Sequence, residues 1–437
     1  MFRLPRPLME QILITLSVCL IAGLLMSRAV KLINLPAVTA YLVAGLLLGP
    51  FFIGRLGLPF IGFGTLEQVD SFKILTQVAL GFIAFVIGNE FRVSQLQSVG
   101  RQAITVGILQ AVVTAIVVDI ALLALHLIRP DVLSAASAIT LGSIAAATAP
   151  AATLMVVKQY KADGPLTHLL LMVVAIDDAV GLVLFSVSFG VATALEQGHL
   201  DVLSILVEPL CEIVLSLGLG ALAGAALNAL ESYFHSRSKR MTLSVAFVLL
   251  TVGLSMLEFD IGPIHLSFSL LLVCMMTGTV FCNICETSEE LMDRVDRWTS
   301  PVNILFFVLS GAELDLNILK NPLVLLIGIV YLISRSAGKV LGAYSSCRLS
   351  RCSSTISRYL GPTLLPQAGV ALGMALTAAN LSDGAVVRNV VLFSVLVYEL
   401  VGPTLTKIAL TKAGEINPEG RTSARSFNKP KPGHTLN

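Results

Sequence analysis

The chain has 437 residues, of which 55% are hydrophobic and 13% charged. Soluble domains carry about 25% charged residues and about 45–50% apolar ones with glycine included, against roughly 63% here, so a soluble globule is excluded. A formal charge of +2 argues against a nucleic-acid binder, and an odd count of seven cysteines is no disulfide framework.

A helix needs about 20 apolar residues to cross a bilayer. Such runs predict thirteen spans, at 8–27, 34–51, 72–91, 102–126, 132–157, 165–193, 203–230, 241–257, 263–281, 301–317, 321–346, 356–380 and 385–411. The first is read as a retained span, not a signal peptide, because no small-residue cleavage site follows it. The fourth carries Asp119. The fifth contains SIAAATAPAATL, where Pro150 cannot donate to the carbonyl of Ala146 and Thr148 supplies a hydroxyl beside the break. Freed carbonyls at membrane depth are tolerated where they line a cavity or are buried in protein.

The sixth span holds adjacent aspartates, Asp177 and Asp178, inside MVVAIDDAVGLVLF. Each mid-membrane charge costs about 2.5–3.5 kcal/mol on translocon-type scales, which marks the pair as functional. Neighbouring residues on a helix point about 100° apart, so each carboxylate needs its own surroundings, one a water-filled cavity and the other a basic partner. The seventh span has Gly218, Gly220 and Gly224, which predict close helix packing. Cys282 and Cys285 form a lone CxxC with no second pair, and the acidic stretch 282–300 reads as a solvated surface helix. No histidine cluster suggests a metal enzyme.

The eleventh span carries Arg335 and Lys339, four apart on one helix face. A buried lysine gives up its proton readily and arginine does not. Lys339 is therefore the expected exchangeable partner, and Arg335 a permanent counter-charge with Asp119 as its candidate mate. The twelfth span repeats a helix-breaking stretch, TLLPQAGVALGMAL, around Pro366, Gln367, Gly369 and Gly373. Glu313 and Glu399, at the tenth and thirteenth spans, either line an access funnel or bond between helices.

Paired broken helices point to a transporter built from inverted repeats. The predicted fold class is thus an all-α polytopic membrane protein of about 13 transmembrane helices, with two inverted six-helix repeats that each hold a broken helix. The repeats would cover about 8–193 and 241–411, with 203–230 as linker helix, inside a transmembrane domain of 1–412. Residues 413–437 have too little apolar surface to fold and are expected to be a disordered tail. One detail resists inversion, since both prolines fall in the cytoplasmic half of their predicted spans. With the N-terminus outside, 20 Lys and Arg fall on cytoplasmic segments and 7 outside, which predicts a cytoplasmic C-terminus.

These residues resemble the bacterial monovalent cation:proton antiporters, in the paired-aspartate branch, with a Kef-like membrane domain. The resemblance covers about residues 8 to 411. It rests on LPAVTAYLVAGLLLGP, GFIAFVIGNEF, TAPAAT, IDD, LFFVLSGAELD, GKVLGAY and PQAGVALGMA, in that order along the chain. It implies that Asp178 is the essential carboxylate that alternately holds a cation or a proton. It makes Asp177 the partner of Lys339. It also implies that the broken helices cross and puts Thr148 at the crossing, so that Asp178, Asp177 and Thr148 would hold the ion. It also implies a homodimer, a core that moves like an elevator, and electrogenic exchange. The absence of a nucleotide-binding regulatory domain argues against the full potassium-efflux type.

The function expected is secondary antiport of Na⁺, or of K⁺ or Li⁺, against protons in the inner cell membrane, without a cofactor. The partners would be the ions, the lipid bilayer and a second copy. The alternatives are a sodium-coupled organic-anion symporter of similar fold, a K⁺/H⁺ efflux protein and a channel-like subunit. A membrane enzyme has no support, since no nucleophile and base are paired.

Overall fold

A computed structural model describes residues 6–31, 35–56, 61–197, 202–257, 259–261, 264–314, 316–378 and 381–416. In chain order the helices are α1 (Arg6–Lys31), α2 (Ala37–Leu48), α3 (Leu66–Asp70), α4 (Lys73–Ile87), α5 (Val93–Ile128) and α6 (Ala135–Ile144). There follow α7 (Pro150–Tyr160), α8 (Pro165–Gln197), α9 (Val202–Glu231), α10 (Arg237–Ser255), α11 (Leu270–Ile284) and α12 (Ser288–Trp298). The last five are α13 (Ser300–Ala312), α14 (Pro322–Leu349), α15 (Ser354–Thr363), α16 (Gly369–Thr377) and α17 (Gly384–Ala413). Among the described residues, eight helical stretches are long and apolar enough to cross a bilayer.

All thirteen predicted spans fall on this framework, the fifth as α6 and α7 and the twelfth as α15 and α16. Several boundaries move: the fourth span begins at Val93 and the tenth ends at Ala312. The ninth span begins at Leu270, because Phe259–Ile261 (β1) and Ile264–Leu266 (β2) form a small antiparallel hairpin just before it. The fifth begins at Ala135, where the Ser134 hydroxyl accepts the backbone N–H of Ser137 and caps the helix. With α6 and α7 running from Ala135 to Tyr160, Pro150 stays past the midpoint but close to it, so the offset noted for the prolines shrinks. The two breaks, at 145–149 and 364–368, have helices of ten and eleven residues around the first and ten and nine around the second. Both lie near the middle of their spans.

Each break holds or borders a proline, and at the first the local geometry shows how it acts. A residue before proline is pushed out of the helical region, and Ala149 is extended at φ −81°, ψ 109°. Pro150 then opens α7 at a position where its missing N–H costs nothing. The breaks are joined directly, the Ala149 N–H donating to the Pro366 carbonyl at 2.8 Å.

Around the crossing, α5 and α14 pack closely because α14 has glycine where α5 touches it. A Cβ on Gly342 would stand 2.8 Å from the Gln110 carbonyl oxygen. On the other side of the molecule α9 lies on α11, where a Cβ on Gly224 would come within 2.6 Å of the Thr277 carbonyl. Gly220 faces α11 in the same way, whereas Gly218 faces open space and is no part of that contact. The acidic stretch after α11 is α12, which buries Leu291, Met292 and Val295 and turns its charges outward.

Residues 414–416, which the sequence assigned to a disordered tail, are ordered. They are held against the start of α8, where the Glu415 carboxylate accepts the N–H groups of Leu166 and Thr167 at 2.7 Å each. This is a carboxylate on a helix N-terminus, a favourable placement against the helix dipole. Residues 417–437, which held the rest of that expectation, lie outside the described residues.

Candidate functional site: the crossing of two broken helices

The breaks leave the carbonyl ends of α6 and α15 and the amide ends of α7 and α16 at mid-span. Carbonyl ends of helices carry partial negative charge and attract cations. Two fully buried cations from α14 occupy that position. Arg335 donates Nε to the Ala145 carbonyl at 3.0 Å, Nη2 to Ala147 at 2.8 Å and Nη1 to Leu365 at 2.8 Å, so one guanidinium ties both breaks together. Its face lies over the Tyr398 ring at 4.5 Å. Gln367 adds a further tie, donating to the Ile144 carbonyl at 3.2 Å and the Tyr331 hydroxyl at 3.0 Å while accepting from Ser394 at 2.8 Å.

The expected partnership of Arg335 with Asp119 does not form. The guanidinium is used up on carbonyls, and Asp119 Oδ1, against Gly142, has no hydrogen-bond partner. The counter-charge role went to backbone dipoles, which a search for opposite side chains overlooks.

Lys339 Nζ has four oxygens within reach of its three N–H groups, the Ala146 carbonyl at 2.6 Å, Thr148 Oγ1 at 2.8 Å, Gln110 Oε1 at 3.1 Å and Asp177 Oδ2 at 3.1 Å. Asp177, fully buried on α8, also accepts from the Thr148 hydroxyl at 2.7 Å and from Gln110 Nε2. Four oxygens around one ammonium and three donors around one carboxylate describe an ionised pair with every charge answered. Gln110 was not singled out in the sequence, yet it touches both partners.

Asp178 lies next in the chain and has the opposite environment. It is 5% exposed, and its Oδ1 has no hydrogen-bond partner. It borders a small void with Ala84, Ile87, Pro150, Ala175, Leu271 and Met275, placing it beside the amide end of α7. Pro150 and Leu271 also border a much larger cavity of about 750 Å³, which reaches Thr148. Its rim is exposed and charged, with Glu67, Asp70, Lys73 and Arg388. The structure thus brings Asp177, Lys339 and Thr148 together and sets Asp178 apart, on the side of the cavity. Among the described residues no group of three or more His, Cys, Asp or Glu could hold a metal ion.

The family model for "Sodium/hydrogen exchanger, transmembrane" matches residues 14–412. The chain belongs to this family. Cation/proton antiport is the activity that membership carries, and neither the organic-anion symporter nor the channel alternative draws support from the matches. One curated relative, an ammonium/H⁺ antiporter subunit of Alkalihalophilus pseudofirmus, AmhT, is 24% identical over 315 residues, covering 71% of this chain and 73% of its own. Two structures of the sodium proton antiporter MjNhaP1 from Methanocaldococcus jannaschii share the fold. One, at pH 8, has a TM-score of 0.66 at 17% identity and covers 93% of this chain and 99% of the other. The second, from electron microscopy, has a TM-score of 0.68 at 16% identity, with coverage of 92% and 98%.

Proposed function

We propose that the protein exchanges a monovalent cation, Na⁺ in the first instance, for protons by competition at Asp178. The observation that supports this most directly is the contrast within the aspartate pair. Asp177 already accepts from Gln110, Thr148 and Lys339, which leaves it less available for an ion than its neighbour and shifts the main weight of the expected Asp177–Asp178–Thr148 set to Asp178. Asp178 is buried with an unanswered oxygen, and a buried carboxylate must take up a proton or a cation to remain there. Thr148 lines the large cavity that shares Pro150 and Leu271 with the void at Asp178, and its hydroxyl is a hard oxygen donor suited to an alkali cation.

With Asp178 ionised, the four charges of Asp177, Asp178, Arg335 and Lys339 sum to zero. A proton or a monovalent cation on Asp178 each leaves the site at one positive charge. If cation binding also draws Asp177 away from Lys339, the lysine loses the charge that favours its ammonium form and a second proton leaves. Two protons then move against one cation, and the cycle carries net charge.

The two six-helix halves, 8–193 and 241–411, are read as inverted repeats joined by the linker helix 203–230. The N-terminus is assigned to the outside of the inner membrane by the positive-inside count, which makes the cavity at Arg388 and Lys73 an outward-facing one. In this reading the protein is a homodimer in which the crossing, with α5, α8 and α14, moves against the rest in an elevator-like step.

The relative from Alkalihalophilus pseudofirmus favours a second reading of the cation, since its name gives ammonium as the substrate. Reconstitution in liposomes containing a pH dye, with Na⁺, K⁺, Li⁺ and NH₄⁺ added in turn, separates the two. Exchange is expected with Na⁺. Proton movement with NH₄⁺ alone, beyond that of protein-free liposomes through which NH₃ diffuses, replaces Na⁺ by ammonium, and no protein-dependent movement with any of the four removes the function. Currents on a supported membrane test the stoichiometry, because active exchange without current at any pH rules out the two-proton scheme.

A further inference from the structure

Glu399 is a second buried carboxylate without a partner. It is 6% exposed, its Oε2 makes no hydrogen bond, and it lines the large cavity that reaches Thr148. Its depth is that of the crossing. One turn further along α17, Gly402 abuts Pro366 of the second break, where a Cβ would stand 3.0 Å from the proline ring. The residue before it, Tyr398, stacks on Arg335 and so faces away from the cavity.

The charged groups facing this space come from four elements. They are Glu67 and Asp70 of α3, Lys73 of α4, Glu313 at the end of α13, and Arg388 with Glu399 on α17. Four carboxylates face two cations. Glu313 is the charge that bears on Glu399, and Asp70 and Lys73 are those that bear on Glu313. Arg388 shares a helix face with Glu399 but stands eleven residues away, about 16 Å along the axis, too far to pair. A merely structural carboxylate at this depth would be hydrogen-bonded between helices, since leaving it bare is unfavourable. This one opens onto the cavity beside a second acid instead.

We propose that Glu399, with Glu313 facing the same cavity, is a second station for the transported cation, which it takes from the cavity water before the cation passes to Asp178. The inference rests on the antiport reading above. A cation at this lining relieves the repulsion among its carboxylates, and the net negative lining concentrates cations at the mouth. The route from Glu399 to Asp178 passes Thr148 and Pro150, which border the cavity.

Glu399→Gln in proteoliposomes with the pH dye tests it. The variant keeps size and hydrogen bonding but removes the charge, so the KM for Na⁺ should rise about tenfold, more than the maximal rate falls; tenfold corresponds to about 1.4 kcal/mol. Glu399→Asp should recover part of that loss, and Glu313→Gln should raise KM by less. An unchanged KM in Glu399→Gln, with the wild type active, means that Glu399 is a protonated structural acid and overturns the inference alone. A wild type that exchanges no cation overturns the antiport reading and this inference with it. A second measurement is independent of turnover. Na⁺ should still raise the melting temperature of Asp178→Asn, and Asp178→Asn/Glu399→Gln should lose that response. An equal response in both overturns the station.

Discussion

Two sides of one helix turn meet at Asp177 and Asp178. On the first side, the space between α5, α8 and α14 is filled by Gln110, Thr148, Asp177 and Lys339, and every polar atom there has a partner. On the second, Asp178 and Glu399 border empty space with oxygens that nothing answers. The difference is instructive because the cost of burial is the same on both sides. A saturated network in a low-dielectric interior holds one arrangement of helices in place. An unsaturated carboxylate beside a cavity keeps its capacity for an external charge. Binding is therefore sought where the hydrogen-bond accounting fails to close, and architecture where it closes.

The largest expected effect tests the open side. Asp178→Asn keeps shape but cannot exchange a proton or balance a cation, so cation-driven proton flux in liposomes should vanish while the protein still folds. Flux at the wild-type rate, at equal reconstitution, would mean that the open side is not where exchange happens.

On the closed side, Lys339→Ala leaves Asp177 buried without its counter-charge. Breaking one partner of such a pair costs about 3–5 kcal/mol. The melting temperature in detergent should fall steeply, and Asp177→Asn should restore much of it. Additive losses in the double variant would show that the 3.1 Å pair contributes no coupling.

Arg335→Lys comes next. Lysine keeps the charge but offers a point donor, where the guanidinium spans three carbonyls of two breaks. At least one buried carbonyl is left bare, a loss of about 1–3 kcal/mol. A variant as stable as the wild type would mean that charge alone, without the fork, holds the breaks together.

The charged residues and the prolines were easier to read in the sequence than the contacts that hold them. Asp177 and Asp178 stand out because carboxylates in an apolar run contradict their surroundings, and Pro150 and Pro366 announce breaks through covalent geometry. Thirteen apolar runs gave the spans for the same reason. The closed side is assembled from long-range neighbours. Gln110 lies 67 residues from Asp177 and 229 from Lys339, and an amide within the fourth span carries no charge to draw attention, although its place inside an apolar run was a usable signal. The partners of Arg335 are backbone carbonyls, which every residue has, so no pattern of side chains reveals them. Glu399 was visible as an acid in a span, but its facing depends on the rotation of α17, which hydropathy does not fix. The hairpin before α11 was missed because the residues after Ile261 are apolar enough to pass for the start of a helix.

Thr148 is where the two sides touch, and it carries the smallest expected effect. Its hydroxyl donates to Asp177 and accepts from Lys339, while the residue also lines the cavity. Thr148→Ser preserves both bonds and removes a methyl that is 2% exposed with the rest of the residue, so the loss should be about 1 kcal/mol, the worth of one buried CH₂ group. Thr148→Val keeps the volume and removes the hydroxyl, so Asp177 loses a donor while Lys339 keeps three acceptors for its three N–H groups, at a cost of about 1–3 kcal/mol. The two melting temperatures, read side by side, separate methyl from hydroxyl. If Thr148→Val is as stable as Thr148→Ser, the hydroxyl is not part of the closed network, and the residue belongs to the cavity wall alone.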